Sequence, residues 1–151
     1  MQGGGLALDL NELYTEIITE HSRSQKHRYL LENPSVTMRG VNPSCGDDIN
    51  LSVNIKDNII NQVAFTGEGC AISQASTSIM ADIMEGKTVD EARRLIKKFI
   101  GMIKKDVTDE KDLEELGDAA AFENISNMPA RVKCAVLSWH TLEEAFNKTK
   151  S

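Results

Sequence analysis

Residues 49–65 constrain this chain most. Ile49, Leu51, Val53 and Ile55 alternate with polar residues in INLSVNI, and Ile59, Ile60, Val63 and Phe65 follow across Lys56-Asp57-Asn58. A side-chain period of two with one apolar face marks strands that bury one side of a sheet. The polar turn between them predicts an antiparallel hairpin. Its alternation slips at Ile60-Asn61. A further short strand is expected over 36–41. So few strands cannot bury their apolar face alone, so helices must cover it.

The flanking segments carry the helical period. Within residues 9–23, Leu10, Leu13, Tyr14, Ile17 and Ile18 recur every three or four positions, and Asp9 with Glu12 fits a capping box. SQKHRYLLENPS has no steady period and is expected to be a loop packing Tyr29, Leu30 and Leu31. His21 and His27 read as surface histidines. After TGEG breaks the strand pattern, Cys70 opens a helix with Ala71, Ile72, Ala75, Ile79, Ile83 and Met84 on its apolar face. Met80 and Met84 fill core, and Gly86 suits the C-terminal end.

Thr88 and Glu91 cap the next helix, VDEARRLIKKFIGMIKK. DVTDEKDLEELGD predicts a short exposed acidic helix with Leu113 and Leu116 turned inward. Pro129 suits the start of a last helix, in which Val132, Val136, Leu137, Leu142 and Phe146 form the apolar surface. Strands followed by helices predict an α+β fold, a small antiparallel sheet packed against helices. The expected organisation is a leader over 1–8, one domain over 9–147 and a tail over 148–151.

Net charge narrows the function classes. At −6, the chain lacks the basic footprint of a nucleic-acid binder. No apolar run is long enough to cross a bilayer, and the N-terminus lacks the pattern of a signal peptide. A cytoplasmic protein is expected. The three cysteines, Cys45, Cys70 and Cys134, are odd in number and widely spaced, unlike a secreted disulfide framework.

Each cysteine lies at a boundary between elements, where side chains from distant segments can meet around an ion. Thiolate sulfur suits zinc, which takes about four ligands. Asp47, two residues beyond Cys45 across the flexible Gly46, can present an oxygen to the same ion. Asp48 is the rival carboxylate. No CxxC pair is present, and three buried structural thiols remain the alternative reading of these residues. Anionic donors benefit from nearby cations, and Arg131 and Lys133 precede Cys134. Their place at a helix start, where the dipole disfavours positive charge, adds interest. The GEG turn can point backbone N–H groups toward the sulfur of Cys70. Hydrolytic chemistry is poorly served: no His-x-x-x-His pair exists, and Ser138-Trp139-His140 is too local to form a triad.

Cys45-Gly46-Asp47, GEGCAIS and PARVKCAVLSWHTL, in this order, resemble the SufU branch of the IscU-like (NifU N-terminal domain) iron–sulfur cluster assembly family. The resemblance covers Leu10 to Phe146. It implies an α+β fold with a metal site at one end and zinc held by Cys45, Asp47, Cys70 and Cys134. The same ligands can hold a transient [2Fe–2S] cluster. It further implies a zinc-dependent sulfurtransferase that takes persulfide sulfur from a SufS-type cysteine desulfurase onto Cys45. The sulfur then passes toward the SufBCD complex, with Arg131 steadying charge beside the site. No nucleic acid or membrane partner is implied. Lys133 stands where the IscU branch usually has histidine, and the 106–124 region lengthens the link between the second and third cysteines. Both departures favour the SufU branch over a scaffold. HSRSQKHRYL lacks the family's Pro-Arg-Asn-Gly character, a change expected to touch a surface loop or partner contact.

Overall fold

The computed structural model describes residues 10–107 and 109–149, with side chains from residue 15 onward. The alternating stretch forms the expected hairpin. β2 (Asp47–Lys56) and β3 (Ile59–Glu68) pair antiparallel, and β1 (Val36–Asn42) pairs antiparallel with β2, giving the order β1-β2-β3. Asp57 and Asn58 both take positive φ, at 53° and 65°. A two-residue turn of this hand matches the twist of the strands it joins. The slip has a structural cause. Asn54 pairs with Gln62 and Ile55 with Ile60, so Asn61 is the extra residue of a bulge. Ile60, Val63 and Phe65 therefore all reach the core. TGEG does not end the strand as expected. β3 continues through Glu68 because its backbone still finds Asp48, Ile49 and Asn50 on β2.

Among the described residues five α-helices accompany the sheet: α1 (Leu10–Arg23), α2 (Ala71–Met84), α3 (Val89–Ile103), α4 (Glu110–Glu115) and α5 (Pro129–Thr149). Asp9 and the 1–8 leader lie outside the described residues. α5 runs two residues into the expected tail. Short 3-10 helices at Gly117–Phe122 and Ile125–Asn127 join α4 to α5, an ordering that the acidic and alanine-rich sequence did not announce. Thr88 caps α3 by accepting from the Glu91 N–H at 3.1 Å. Leu116 is buried and Leu113 packs partly against the core. Gly86 sits one residue beyond the Glu85 C-cap with φ +91°, the left-handed position at which glycine ends helices.

α2 is buried on all sides from Ser73 to Ala81. Its small residues explain this: Ala75, Ser76 and Ser78 let neighbouring helices approach closely. The Ser76, Thr77 and Ser78 hydroxyls, which close packing would otherwise strand, find partners. The Ser76 hydroxyl donates to the Ala135 carbonyl at 2.5 Å and accepts from the Trp139 indole N–H at 2.9 Å. Trp139 stacks flat on Phe99, with ring centroids 3.9 Å apart. This pair joins α3 to α5 at the centre of the helical layer.

The loop after α1 departs from expectation. Tyr29 and Leu30 are exposed. His27, read as a surface residue, is only 2% exposed. Its ring lies between the Val63 carbonyl, 3.1 Å from Nδ1, and the Asp82 carboxylate, 2.7 Å from Nε2. Its backbone carbonyl accepts from the Phe65 N–H at 2.9 Å. The segment thereby covers the outer edge of β3. His21 is half-buried, and its ring meets Ser78 at 3.0 Å and Asp118 at 3.2 Å.

Candidate metal centre

Three chain segments converge at one end of the sheet. The first is the tight connection from β1 to β2. Asn42 and Asp47 are paired across it, and Gly46 takes φ +70°, which glycine adopts without strain. The Cys45 N–H donates to the Asn42 carbonyl at 3.2 Å. The second is the entry to α2, where Cys70 is the N-cap residue. The third is the first turns of α5, which carry Arg131 and Cys134. β1 reaches α5 because Gly40 has no side chain: a Cβ there would overlap Thr141 Oγ1.

The convergence brings the thiols together. Donor atoms of Cys45, Asp47 and Cys134 all lie within 4.8 Å of one another, and the two sulfurs are 2.7 Å apart. Cys70 Sγ is not part of that group; the residue reaches the site through its backbone N–H, which donates to Asp47 Oδ1 at 2.9 Å. That approach requires glycine before it, since a Cβ on Gly69 would lie 2.7 Å from Asp47 Oδ1. Asp47 is 1% exposed and Cys134 is fully buried, whereas Cys45 and Cys70 are half-buried.

Strand phase separates the two carboxylates. Asp47 shares the inward phase of Ile49, Leu51 and Val53, while Asp48 points to the other face. There Arg39 Nε and Nη2 grip it at 2.9 and 2.6 Å, and this pairing holds its carboxyl below the usual range. The signal was present in the alternating sequence. Asn42 had no such flag. It is buried, and its Nδ2 donates to Asp47 Oδ2 at 3.3 Å and to Cys134 Sγ at 3.7 Å.

The electrostatics favour a cation. Burial pushes the Cys134 thiol far up from its ordinary value, and its hydrogen bonds with Cys45, Cys70 and Asp47 add to the effect. Groups that all become anionic resist ionising together until positive charge enters. Arg131 is the side chain that supplies some: its pKa is raised, first by a hydrogen bond with Cys134 and then by the nearby Cys70 charge. Lys133 is exposed and has no described contact with the sulfurs. Two to three thiols and one carboxylate at this spacing form a donor set suited to zinc, with ligand bonds of about 2.0–2.3 Å.

Residues 13–148 match the NifU-like N-terminal domain model. The chain is 37% identical over 140 residues to the zinc-dependent sulfurtransferase SufU of Bacillus subtilis, covering 93% of both chains. It is 38% identical over 136 residues to the iron–sulfur cluster assembly scaffold protein IscU of Thermotoga maritima, covering 90% of this chain and 94% of that one. A solved structure from Fervidobacterium islandicum, provisionally assigned as a SUF-system iron–sulfur cluster assembly scaffold, superposes with a TM-score of 0.81. It is 39% identical and covers 86% of this chain and 93% of that one. No helix among the described residues is long and apolar enough to cross a membrane. With its sheet order, its convergent cysteines and these matches, the chain belongs to the NifU-like N-terminal domain family.

Proposed function

We propose that this protein is a zinc-dependent sulfur carrier in iron–sulfur cluster assembly. It takes persulfide sulfur from a SufS-type cysteine desulfurase onto Cys45 and passes it toward a SufBCD-type complex. Zinc is held by Cys45, Asp47, Cys70 and Cys134. The observation that carries the reading is the unequal burial of the donors. Asp47 and Cys134 are closed off, while Cys45, half-buried like Cys70, sits not at a helix cap but on the β1–β2 connection, where a partner's persulfide can reach it.

Bound zinc would keep the thiols ionised at neutral pH. The chain's own part in the transfer is an exchange. The Cys45 sulfur attacks the outer sulfur of the desulfurase persulfide, the sulfur–sulfur bond breaks, and the desulfurase cysteine leaves as its thiolate. Cys45 then holds the persulfide, and no net oxidation occurs. Arg131, drawn to the sulfurs, steadies negative charge during the exchange. Val41 and Met128 are exposed apolar residues on the segments beside the site, a surface suited to partner docking.

Near-equal identity to a sulfurtransferase and to a scaffold keeps a transient [2Fe–2S] cargo as the second reading. Lys133 and the 106–124 region favour sulfur transfer. The test is desulfurase turnover with cysteine and a thiol reductant, with and without the zinc-loaded protein. Turnover rises with added protein, Cys45→Ser removes the rise, and peptide mapping without reductant finds the extra sulfur on Cys45. X-ray absorption shows mainly sulfur neighbours with one light ligand. Unchanged turnover, together with assembly of a [2Fe–2S] cluster that passes intact to an apoprotein, establishes the scaffold reading instead.

A further inference from the structure

We infer that Asn42 is the positioning residue that decides which sulfur of the centre stays and which one leaves. This rests on the zinc-carrier reading above and adds to it a residue outside the proposed ligand set.

Asn42 ends β1, and both of its polar ends work at the site. Its backbone carbonyl accepts from the Cys45 N–H at 3.2 Å, which sets the tight turn. Its buried side chain turns inward, with Nδ2 at 3.3 Å from Asp47 Oδ2 and 3.7 Å from Cys134 Sγ. A carboxylate and an ionised thiol are acceptors only, so the amide must face them with its NH2 end. That group has two hydrogens, one for each acceptor.

The donors are thereby divided into two kinds. Asp47 is fixed from both sides, by Asn42 on Oδ2 and by the Cys70 N–H on Oδ1 at 2.9 Å. Cys134 is fixed by Asn42 and by its place in α5. Cys45 receives no comparable donor: outside its contact with Cys134, its sulfur faces the Ala130 carbonyl at 3.6 Å. A carbonyl oxygen does not stabilise negative charge on sulfur, whereas an amide N–H does. The centre is thus built with one sulfur less restrained than its buried neighbour, and Asn42, together with Arg131 at the rim, makes the difference. Partners of this kind, outside the ligands themselves, orient metal ligands and tune their bonding.

The test is site-resolved alkylation of the zinc-loaded protein, read by mass spectrometry, with zinc affinity measured against a chromophoric chelator. In the wild type, Cys45 reacts faster than Cys134. Asn42→Ala lowers zinc affinity by about 10- to 100-fold and brings the two alkylation rates together. Asn42→Asp replaces the donor with an acceptor and produces a larger loss. Asn61→Ala, on the exposed face of β3, serves as the control and changes neither measurement. Circular dichroism confirms the fold. If Asn42→Ala misfolds, Asn42→Ser and Asn42→Asp carry the same comparison. Zinc affinity and alkylation order unchanged in the folded variants overturn this inference and leave the carrier reading intact. A wild type that takes up no zinc instead overturns the carrier reading on which it rests.

Discussion

Two of the clusters of charged and ionisable groups among the described residues are built on opposite terms. Between α3 and α4, Arg94 donates to Glu115 at 2.9 and 2.5 Å, and Lys98 contacts Asp112 at 2.9 Å as well as Glu115. Each carboxylate there meets a cation. At the sheet end, Cys45, Asp47 and Cys134 meet one another, Cys70 adjoins them through its N–H to Asp47, and Arg131 is the cation at their rim. The first cluster is complete as folded and lies at the surface. The second is partly buried and short of positive charge. The two clusters differ in charge balance rather than in the number of charged groups.

Zinc titration probes the contrast most strongly. At free zinc about 100 times Kd, binding stabilises the native state by about 2.7 kcal/mol, roughly 5–10 °C in Tm for a chain of this size. Calorimetry with zinc and then with a chelator measures the shift. Cys134→Ser removes it, because the variant loses a buried donor; an equal shift in the variant would break the contrast.

A smaller effect is expected at the rim. Arg131→Ala weakens zinc binding by about 2- to 5-fold, the scale of one partly screened charge. The difference shrinks as salt is raised. A loss that is independent of salt would give Arg131 a packing role instead.

The smallest effect belongs to the complete cluster. Arg94 and then Lys98 hold the Glu115 carboxyl at about 2, below its ordinary 4.5. A depressed carboxyl contributes stability that is present above its unfolded value and lost as pH falls through its folded one. The α3–α4 contribution is therefore intact above about pH 4.5 and fades toward about pH 2. Glu115→Gln removes this pH dependence, lowers Tm by no more than about 2 °C at neutral pH, and leaves zinc binding unchanged. Thermal melts from pH 2 to pH 7 measure it.

Local periodicity made much of the fold legible. The alternation of Ile49, Leu51 and Val53 announced β2, and the slip at Ile60-Asn61 marked the bulge. The thiol boundaries and the order of three motifs pointed to the centre before its geometry was known. What was hidden depends on distant partners. Nothing near His27 says that Asp82 and Val63 close around its ring. Asn42 is inconspicuous until the register sets it opposite Asp47 and Gly40 lets β1 settle on α5. The strand beyond Phe65 has no apolar alternation, because its partners there are backbone groups of β2.

The stacking of Trp139 on Phe99 has a practical consequence. Trp139 is the sole tryptophan of the chain, so all indole emission originates in the α2–α3–α5 layer and none in the sheet. Its N–H reaches Ser76, whose hydroxyl in turn reaches the carbonyl of Ala135, the residue after Cys134. The fluorophore is thus wired to the first turns of α5. A change in its spectrum on adding zinc reports that capture of the ion is felt along that helix, while a silent spectrum reports a centre that fills without disturbing its support.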